Sequence, residues 1–293
     1  MKKRICVLLI CFLCGCSIQS QKDTVSNQTD HLSLTKSRVQ IALNTQFDYL
    51  QYVSCDSKKD VQYNIIDTSK IGTYVIHYKY HNDSEDFIVD VVKMYKNKIF
   101  NPIGIKTNII KNPKDITVLV NKLNQIPDNW VPDDLVKVVD SHQKLRQEAA
   151  QAYKEFYQAA KSQGINIYSI SGYRSNETQT LYWNNQVKVR GEEYASQYSA
   201  YPLRSEHQLG LAIDVSYKTD GDRLNEDVEK SPIGKFIVSD GYKYGFILRY
   251  PKDKVSITNY GYEPWHIRYV GKALAKKLHQ SHMTLEEYYE VMN

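Results

Sequence analysis

The stretch 205–215, Ser-Glu-His-Gln-Leu-Gly-Leu-Ala-Ile-Asp-Val, restricts what this chain can fold into more than any other. His207 and Asp214 stand seven positions apart, with an apolar run between them broken by Gly210. On one helix that spacing returns to the same face, but Gly210 and the β-branched Ile213 and Val215 work against a continuous helix. On one straight strand an odd spacing puts the two side chains on opposite faces. The sequence therefore predicts His207 in a loop, a bend at Gly210, and Asp214 in the strand that follows, with the imidazole turned back over the carboxylate. A second pair comes later, in Glu263-Pro264-Trp265-His266. Pro264 disfavours an α conformation at Glu263, which predicts a turn entering a strand. Two imidazoles and one carboxylate are a common ligand set for a catalytic zinc whose fourth position is left to water. The remaining carboxylate is then the general base that such a water needs.

At 293 residues the chain has room for two domains or one large one. The formal charge of +5 is not gathered into Lys/Arg runs, which argues against a dedicated nucleic-acid binder. The start is basic, Met1-Lys2-Lys3-Arg4, and residues 5–13 form an apolar run too short to cross a bilayer but suited to a signal-peptide core. Leu13-Cys14-Gly15-Cys16 resembles the lipobox of bacterial lipoproteins. That likeness implies a signal peptide over 1–15, a lipid on Cys16, and a chain anchored on the extracellular face of the bacterial cytoplasmic membrane. Cys6, Cys11 and Cys14 leave with such a signal, and Cys55 alone remains, so no internal disulfide is available. Cys55 has no supported histidine near it in sequence and is expected to pack, not to react.

Residues 16–37, rich in Ser, Gln, Asn, Asp and Thr, have the composition of a flexible tether. Residues 38–95 alternate short β-forming runs with turns, including strands over 73–80 and 87–92 around the turn His81-Asn82-Asp83-Ser84 and shorter ones over 39–42 and 47–50. They suggest a small all-β sandwich, and the segment Asp67-Thr68-Ser69-Lys70-Ile71-Gly72-Thr73-Tyr74 with the final strand resembles the Ig-like modules of bacterial surface proteins. Residues 96–113, with Lys, Asn and two prolines, read as a linker. From 114 to 293, helical and strand patterns mix without a regular strand-helix repeat, which indicates α+β with an antiparallel central sheet. Helical spacing runs over 135–163, with His142 packed on the apolar face and Gly164 as the stop. A strand over 165–171, a helix over 176–189 capped by Ser175, a short helix after Gly191, strands over 211–215, 246–250 and 265–270, and a last helix opened by the capping box Thr284-Leu285-Glu286-Glu287 complete the reading.

Ser171-Gly172-Tyr173-Arg174-Ser175, the stretch 205–214, residues 245–251, Glu263-Pro264-Trp265-His266 and Thr284-Leu285-Glu286-Glu287 occur in one order across 114–293. With these pieces the region resembles the VanY-type D,D-/L,D-carboxypeptidases, zinc peptidases of the bacterial cell wall related to VanX and sharing the hedgehog/D-Ala-D-Ala peptidase type of fold. The resemblance implies one Zn(2+) per chain held by His207, Asp214 and His266, with Glu263 as catalytic base. It implies that Arg174 binds substrate and steadies the oxyanion, and that Gln179 and Ser205 hold the terminal carboxylate with it. The substrate implied is the peptidoglycan stem peptide, the reaction is removal of its C-terminal D-alanine, and the chain acts as a monomer. One departure is visible: Tyr201-Pro202-Leu203-Arg204 stands where the family often has Pro-Gly before the Ser. A serine peptidase of the penicillin-binding type would need Ser-x-x-Lys with Ser-Asp-Asn and Lys-Thr-Gly; Ser33-Leu34-Thr35-Lys36 meets only the first. The rival from another class is a zinc-binding but inactive wall-binding surface lipoprotein, which has no need of a base at Glu263.

Overall fold

A computed structural model describes residues 31–95, 98–220 and 223–292. The expected signal peptide, Cys16 and most of the expected tether lie outside the described residues. Six strands form the N-terminal unit: β1 (Ser33–Leu34), β2 (Arg38–Ala42), β3 (Val53–Ser54), β4 (Gln62–Tyr63), β5 (Gly72–Tyr80) and β6 (Asp83–Val92). Their main sheet runs β2-β6-β5-β4, with β2 parallel to β6 and the other pairs antiparallel. β1 pairs with β3 apart from it. Alternation on β5 and β6 sends Ile76, Tyr78, Phe87, Val89 and Val91 inward, against Leu32 and Val53 from the smaller sheet. Leu32 is fully buried there and Ser33–Leu34 is paired, so order begins earlier than a tether ending at residue 37 allows. Residues 47–50 are a loop, not a strand. Phe47 is nevertheless buried, stacked on Phe87, so its apolar character comes from the core and not from a sheet.

The segment expected to be a linker is also built into the fold. Phe100 and Ile105 are buried against Val92, and β7 (Asn108–Ile109) pairs parallel with β8 (Asn124–Gln125). Lys106 N–H donates to Thr73 Oγ1, and Arg38 Nη2 donates to the Lys106 carbonyl, so residues 102–106 are tied to the N-terminal sheet.

The C-terminal unit opens on a hairpin, β9 (Leu135–Lys137) and β10 (Lys144–Arg146), before helix α1 (Gln147–Ser162). The helix expected from residue 135 therefore starts at Gln147. The apolar spacing of Leu135, Val138 and Leu145 fits either element, and the hairpin is held from outside by Asp140, which accepts from the Ser169 N–H and hydroxyl. His142, expected on a packed helix face, is exposed in that turn region. Strand β11 (Tyr168–Ser171), helix α2 (Asn176–Tyr198), strand β12 (Ala212–Ser216), helix α3 (Pro232–Asp240), strand β13 (Phe246–Leu248), the short α4 (Val255–Thr258), strand β14 (His266–Tyr269), and helices α5 (Lys272–Ser281) and α6 (Leu285–Met292) follow. The sheet order is β11-β12-β14-β13, every pair antiparallel.

The apolar stripe of α1, carrying Ala149, Tyr153, Phe156 and Ala160, packs on Ile213, Val215, Ile267 and Phe246 of this sheet. One face of the sheet thus meets the core. Asp214, in the middle of β12, is paired with His266, the first residue of β14, and both are polar. Helix α2 is interrupted at Gly191, whose φ of 84° no other residue type adopts cheaply. The residues after the break turn back toward the same cleft as those before it.

Candidate active site

Three turns deliver the polar residues of the site. Ser205 precedes a 3-10 turn over Glu206–Leu209, and Gly210 ends it with φ 67°. A Cβ on Gly210 would stand 2.9 Å from Leu135 Cδ2 and 3.3 Å from Arg146 N, so the bend needs both the positive φ and the missing side chain. Strand β12 then places Asp214 beside the ring, with His207 Nε2 3.3 Å from Asp214 Oδ2. The second turn is Glu263-Pro264-Trp265-His266, closed by the His266 N–H donating to the Glu263 carbonyl at 3.2 Å. Proline suits its second position because the ring fixes the φ that the turn requires. The third follows β11, where Ser175 caps α2 by accepting from the Thr178 N–H and Arg174 points back. Arg174 donates from Nε to Ser171 Oγ (3.0 Å), from Nη1 to Gln179 Oε1 (3.3 Å) and from Nη2 to Asp214 Oδ2 (3.1 Å). Its guanidinium also lies 4.6 Å from the Tyr182 ring centre.

The two imidazoles are fixed by different partners. His207 Nδ1 meets the Gly172 carbonyl at 2.8 Å, which makes Nδ1 the donor and leaves the Nε2 lone pair toward Asp214. His266 turns Nδ1 to Asp214 Oδ1 (3.1 Å) and to Glu263 Oε2 (3.6 Å), and its Nε2 to Glu206 Oε2 (3.4 Å). The rings sit 4.9 Å apart, nearly perpendicular. One donor atom from each of His207, Asp214 and His266 falls within 4.8 Å of the others, and all three residues are buried. Ligands about 2.0–2.1 Å from a tetrahedral ion stand roughly 3.3 Å apart, close to the 3.3 Å from His207 Nε2 to Asp214 Oδ2 and the 3.1 Å from His266 Nδ1 to Asp214 Oδ1. Asp214 Oδ1 is buried without a hydrogen-bond partner although His266 Nδ1 is close. Atoms that approach without a directed hydrogen bond are what ligands aimed at a common ion look like. The donor set and its spacing fit a divalent metal.

Electrostatics separate the roles. Burial, with Arg174 beside it, presses the His207 ring down to about 4, keeping it in the neutral form that can donate a lone pair. Burial opposes charge on His266 too, but Asp214 and Glu206 outweigh it and lift that ring to about 9. Burial alone would raise the Asp214 carboxyl; the facing His207 and His266 rings overcome it and keep Asp214 ionised. Glu263 behaves the other way. Burial lifts its carboxyl to about 8 against the pull of His266, so it holds or releases a proton near neutrality.

Ser205 lines the cleft, and Gln179 does not. Gln179 is fully buried, and its Nε2 donates to the Ala200 carbonyl at 2.7 Å while its Oε1 takes Arg174. It therefore orients Arg174 and does not face the cleft. The loop with the unusual 201–204 sequence keeps its shape through Leu203, which adopts φ 67° in place of a glycine. Its N–H donates to Gln208 Oε1 and its carbonyl accepts from the Ile126 N–H, both at 2.8 Å. Arg204 is buried and donates to the carbonyls of Pro102, Lys122 and Ile105. Lys122, likewise buried, donates to those of Phe100 and Ser196.

Sequence reasoning missed the ion network behind the site. Glu206 Oε1 accepts from Arg249 Nε and Arg268 Nη1, each at 2.7 Å, while Arg249 forks onto Glu286 of α6 at 2.7 and 2.9 Å. Burial would raise the Glu206 carboxyl, but Arg249 and Arg268 hold it ionised. Glu206, Arg249 and Glu286 all lie inside the motif pieces that carried the resemblance. Their invisible feature was the fold that joins them.

Residues 142–272 match the model of the VanY family, D-alanyl-D-alanine carboxypeptidase. A protein of Bacillus subtilis (strain 168) named "Putative carboxypeptidase YodJ" is 45% identical over 204 residues, 67% of this chain and 74% of that protein. The chain belongs to the VanY family. Among solved structures, that of the LdcB LD-carboxypeptidase, described for its peptidoglycan recognition, aligns with a TM-score of 0.58 and 42% identity over 68% of this chain and 92% of LdcB. A variant of the vancomycin-resistance D,D-pentapeptidase VanY from a VanB-type cassette, solved with Zn(II), aligns with a TM-score of 0.52 and 31% identity over 59% of this chain and 98% of that one. This VanY-family chain is accordingly a hydrolase of the carboxypeptidase type.

Proposed function

We propose that the protein is a zinc-dependent carboxypeptidase that removes the C-terminal D-alanine from peptidoglycan stem peptides, at a D,D or an L,D bond. The observation that carries this reading is the convergence of His207 Nε2, Asp214 and His266 Nδ1 on one point, with Glu263 and Arg174 beside it. His207, Asp214 and His266 would hold one zinc. When bound, zinc supplies a Lewis acid and brings the pKa of a water to about 7.

Glu263 is the group that can take a proton from that water and deliver it to the leaving amine. It suits both steps because its own proton affinity lies near neutrality. Arg174 has five N–H groups and commits three of them to Ser171, Gln179 and Asp214, which leaves two for a substrate oxygen. Its planar charge suits both an oxyanion and a terminal carboxylate. Ser205, buried at the inner end of the cleft, offers a hydroxyl to the same carboxylate. The bond broken is the one between the acyl carbon and the amide nitrogen, so the released D-alanine carries both the amine that takes the proton from Glu263 and the carboxylate that Arg174 and Ser205 would hold. On this reading the N-terminal β unit is an Ig-like spacer, and a lipid on Cys16 holds the monomer at the outer face of the cytoplasmic membrane.

The test is digestion of purified tetrapeptide and pentapeptide muropeptides, with D-alanine release followed by mass spectrometry, with zinc and after strong chelation. Loss of D-alanine release on chelation and its return with zinc are expected. Release untouched by chelation would remove the zinc mechanism, and muropeptide binding without any release would favour the inactive wall-binding protein. Glu263→Gln should keep zinc and lose at least about a hundredfold in kcat.

A further inference from the structure

The cleft reaches well past the residues that would do the chemistry. It encloses about 440 Å³, far more than a terminal dipeptide fills. Its inner end is buried, at Ser205, His207 and Asp214, and its outer rim is exposed, at Arg190, Arg223 and Glu226. A substrate whose C-terminus sits at the buried end must leave by that rim.

One wall is a single face of α2. Tyr182, Gln186 and Arg190 line the cleft at successive turns. Tyr182 touches Arg174 at the chemical end. Arg190 lies two turns further along, about 12 Å at 1.5 Å per residue. An extended peptide covers that span in roughly three to four residues, and the reach of the arginine side chain shortens it to two or three.

Arg190 is held ready. The break at Gly191 brings Tyr194 back under it, with the guanidinium 4.6 Å from the Tyr194 ring centre and Nη1 donating to Tyr194 Oη at 2.7 Å. Among the described residues Arg190 makes no ion pair. The one carboxylate on the exposed rim of the cleft, Glu226, has Lys252 Nζ at 3.7 Å. Arg223, which also lines the cleft, adds a second guanidinium. The far end of the cleft is therefore cationic, rigid and short of an anion.

We infer that Arg190, steadied on Tyr194, forms a subsite for a free carboxylate on the substrate two to three residues before the scissile bond. This rests on the carboxypeptidase reading above and names what selects the substrate within it. The chemical class is an acidic peptide whose upstream carboxyl is ionised, as opposed to the same peptide with that carboxyl amidated. An amide offers the guanidinium one neutral carbonyl oxygen in place of two charged ones.

Two synthetic stem peptides test this. They are identical except at one D-glutamate, linked through its γ-carbonyl, whose α-carboxyl is either free or an amide. The zinc-loaded full chain should cleave the acid about tenfold to a hundredfold more efficiently, with the difference in KM, as befits one charge-assisted hydrogen bond. Arg190→Gln should bring the acid-to-amide ratio close to one, and Arg190→Lys should keep part of it. Equal cleavage of the two peptides by the unaltered protein, or a ratio that survives Arg190→Gln, overturns the subsite. The affinity of Glu263→Gln protein for each peptide, read by calorimetry, gives the same comparison without turnover. If neither peptide is cleaved the carboxypeptidase reading falls, and the two affinities still decide the subsite: tighter binding of the acid upholds it and equal binding sinks it.

Discussion

His266 is the residue on which most of the site's charge converges. Its Nδ1 faces Asp214 and Glu263, and its Nε2 faces Glu206, so its ring stays protonated up to about 9. A metal that takes Nδ1 must displace that proton. Zinc affinity should therefore climb by about tenfold per pH unit from pH 7 and level off above about 9, measurable by competition with a chromogenic chelator. The stability of the metal-free protein should move the opposite way. A raised His pKa contributes stability that is complete below the ordinary 6.5 and is lost as pH rises through about 9. Glu263, lifted to about 8, acts in the same sense, and thermal melts across this range check both.

Glu206 offers a second test at this scale. Glu206→Gln preserves shape but removes the anion facing His266, Arg249 and Arg268. Outer-shell partners of metal-ligating histidines typically account for ten- to a hundredfold in metal affinity, and a loss of that size is expected here. An affinity equal to that of the unaltered protein would show that the Glu206 carboxylate has no hold on the ring. His207, Asp214 and His266 stood out in the sequence as metal-binding residue types within motifs that carry the resemblance, and the structure brings the three together. Glu206 did not stand out, because a glutamate beside a histidine looks like any surface residue until burial and two arginines give it a task.

At the scale of elements, the loop-to-strand unit around Gly210 was legible and the hairpin before α1 was not. A spacing of seven puts the two side chains on opposite faces of a straight strand, and Gly210 with Ile213 and Val215 works against a helix, which favours a bend. Leu135, Val138 and Leu145 exclude nothing, since a hairpin buries them as well as a helix does. What fixes the hairpin is tertiary: Asp140 binds the Ser169 backbone N–H and hydroxyl of β11, and the Lys144 carbonyl accepts from the Tyr173 N–H. Gly210→Ala should destabilise the protein by about 1–3 kcal/mol, from the positive φ and the contacts with Leu135 and Arg146. It should also weaken zinc binding, because His207 hangs on the same turn. A melt unchanged from the parent would mean that the turn relaxes without strain. The capping box at Thr284 was readable and is made reciprocally with Glu287. Glu286 beside it belongs to the buried network, which no local pattern announces.

Across the whole molecule, the boundaries drawn from composition were the weakest part of the reading. Polar, proline-bearing residues at 96–113 look like a spacer, yet their backbone carbonyls serve two buried basic side chains. Arg204 and Lys122 together draw on Phe100, Pro102 and Ile105. Stranding the buried Arg204 charge costs about 3–5 kcal/mol. A chain beginning at residue 114 should therefore melt far below one beginning at residue 98, with D-alanine release and circular dichroism as the readouts. Equal melting temperatures would show that those carbonyls are dispensable.

The same segment grips the N-terminal sheet through Thr73 and Arg38. It also holds Arg204, the neighbour of Ser205. The front unit is thus a strut braced against the rim of the blade, not a bead on a string. A partner that fixed the N-terminal sheet in place would thereby fix the reach of the candidate cleft.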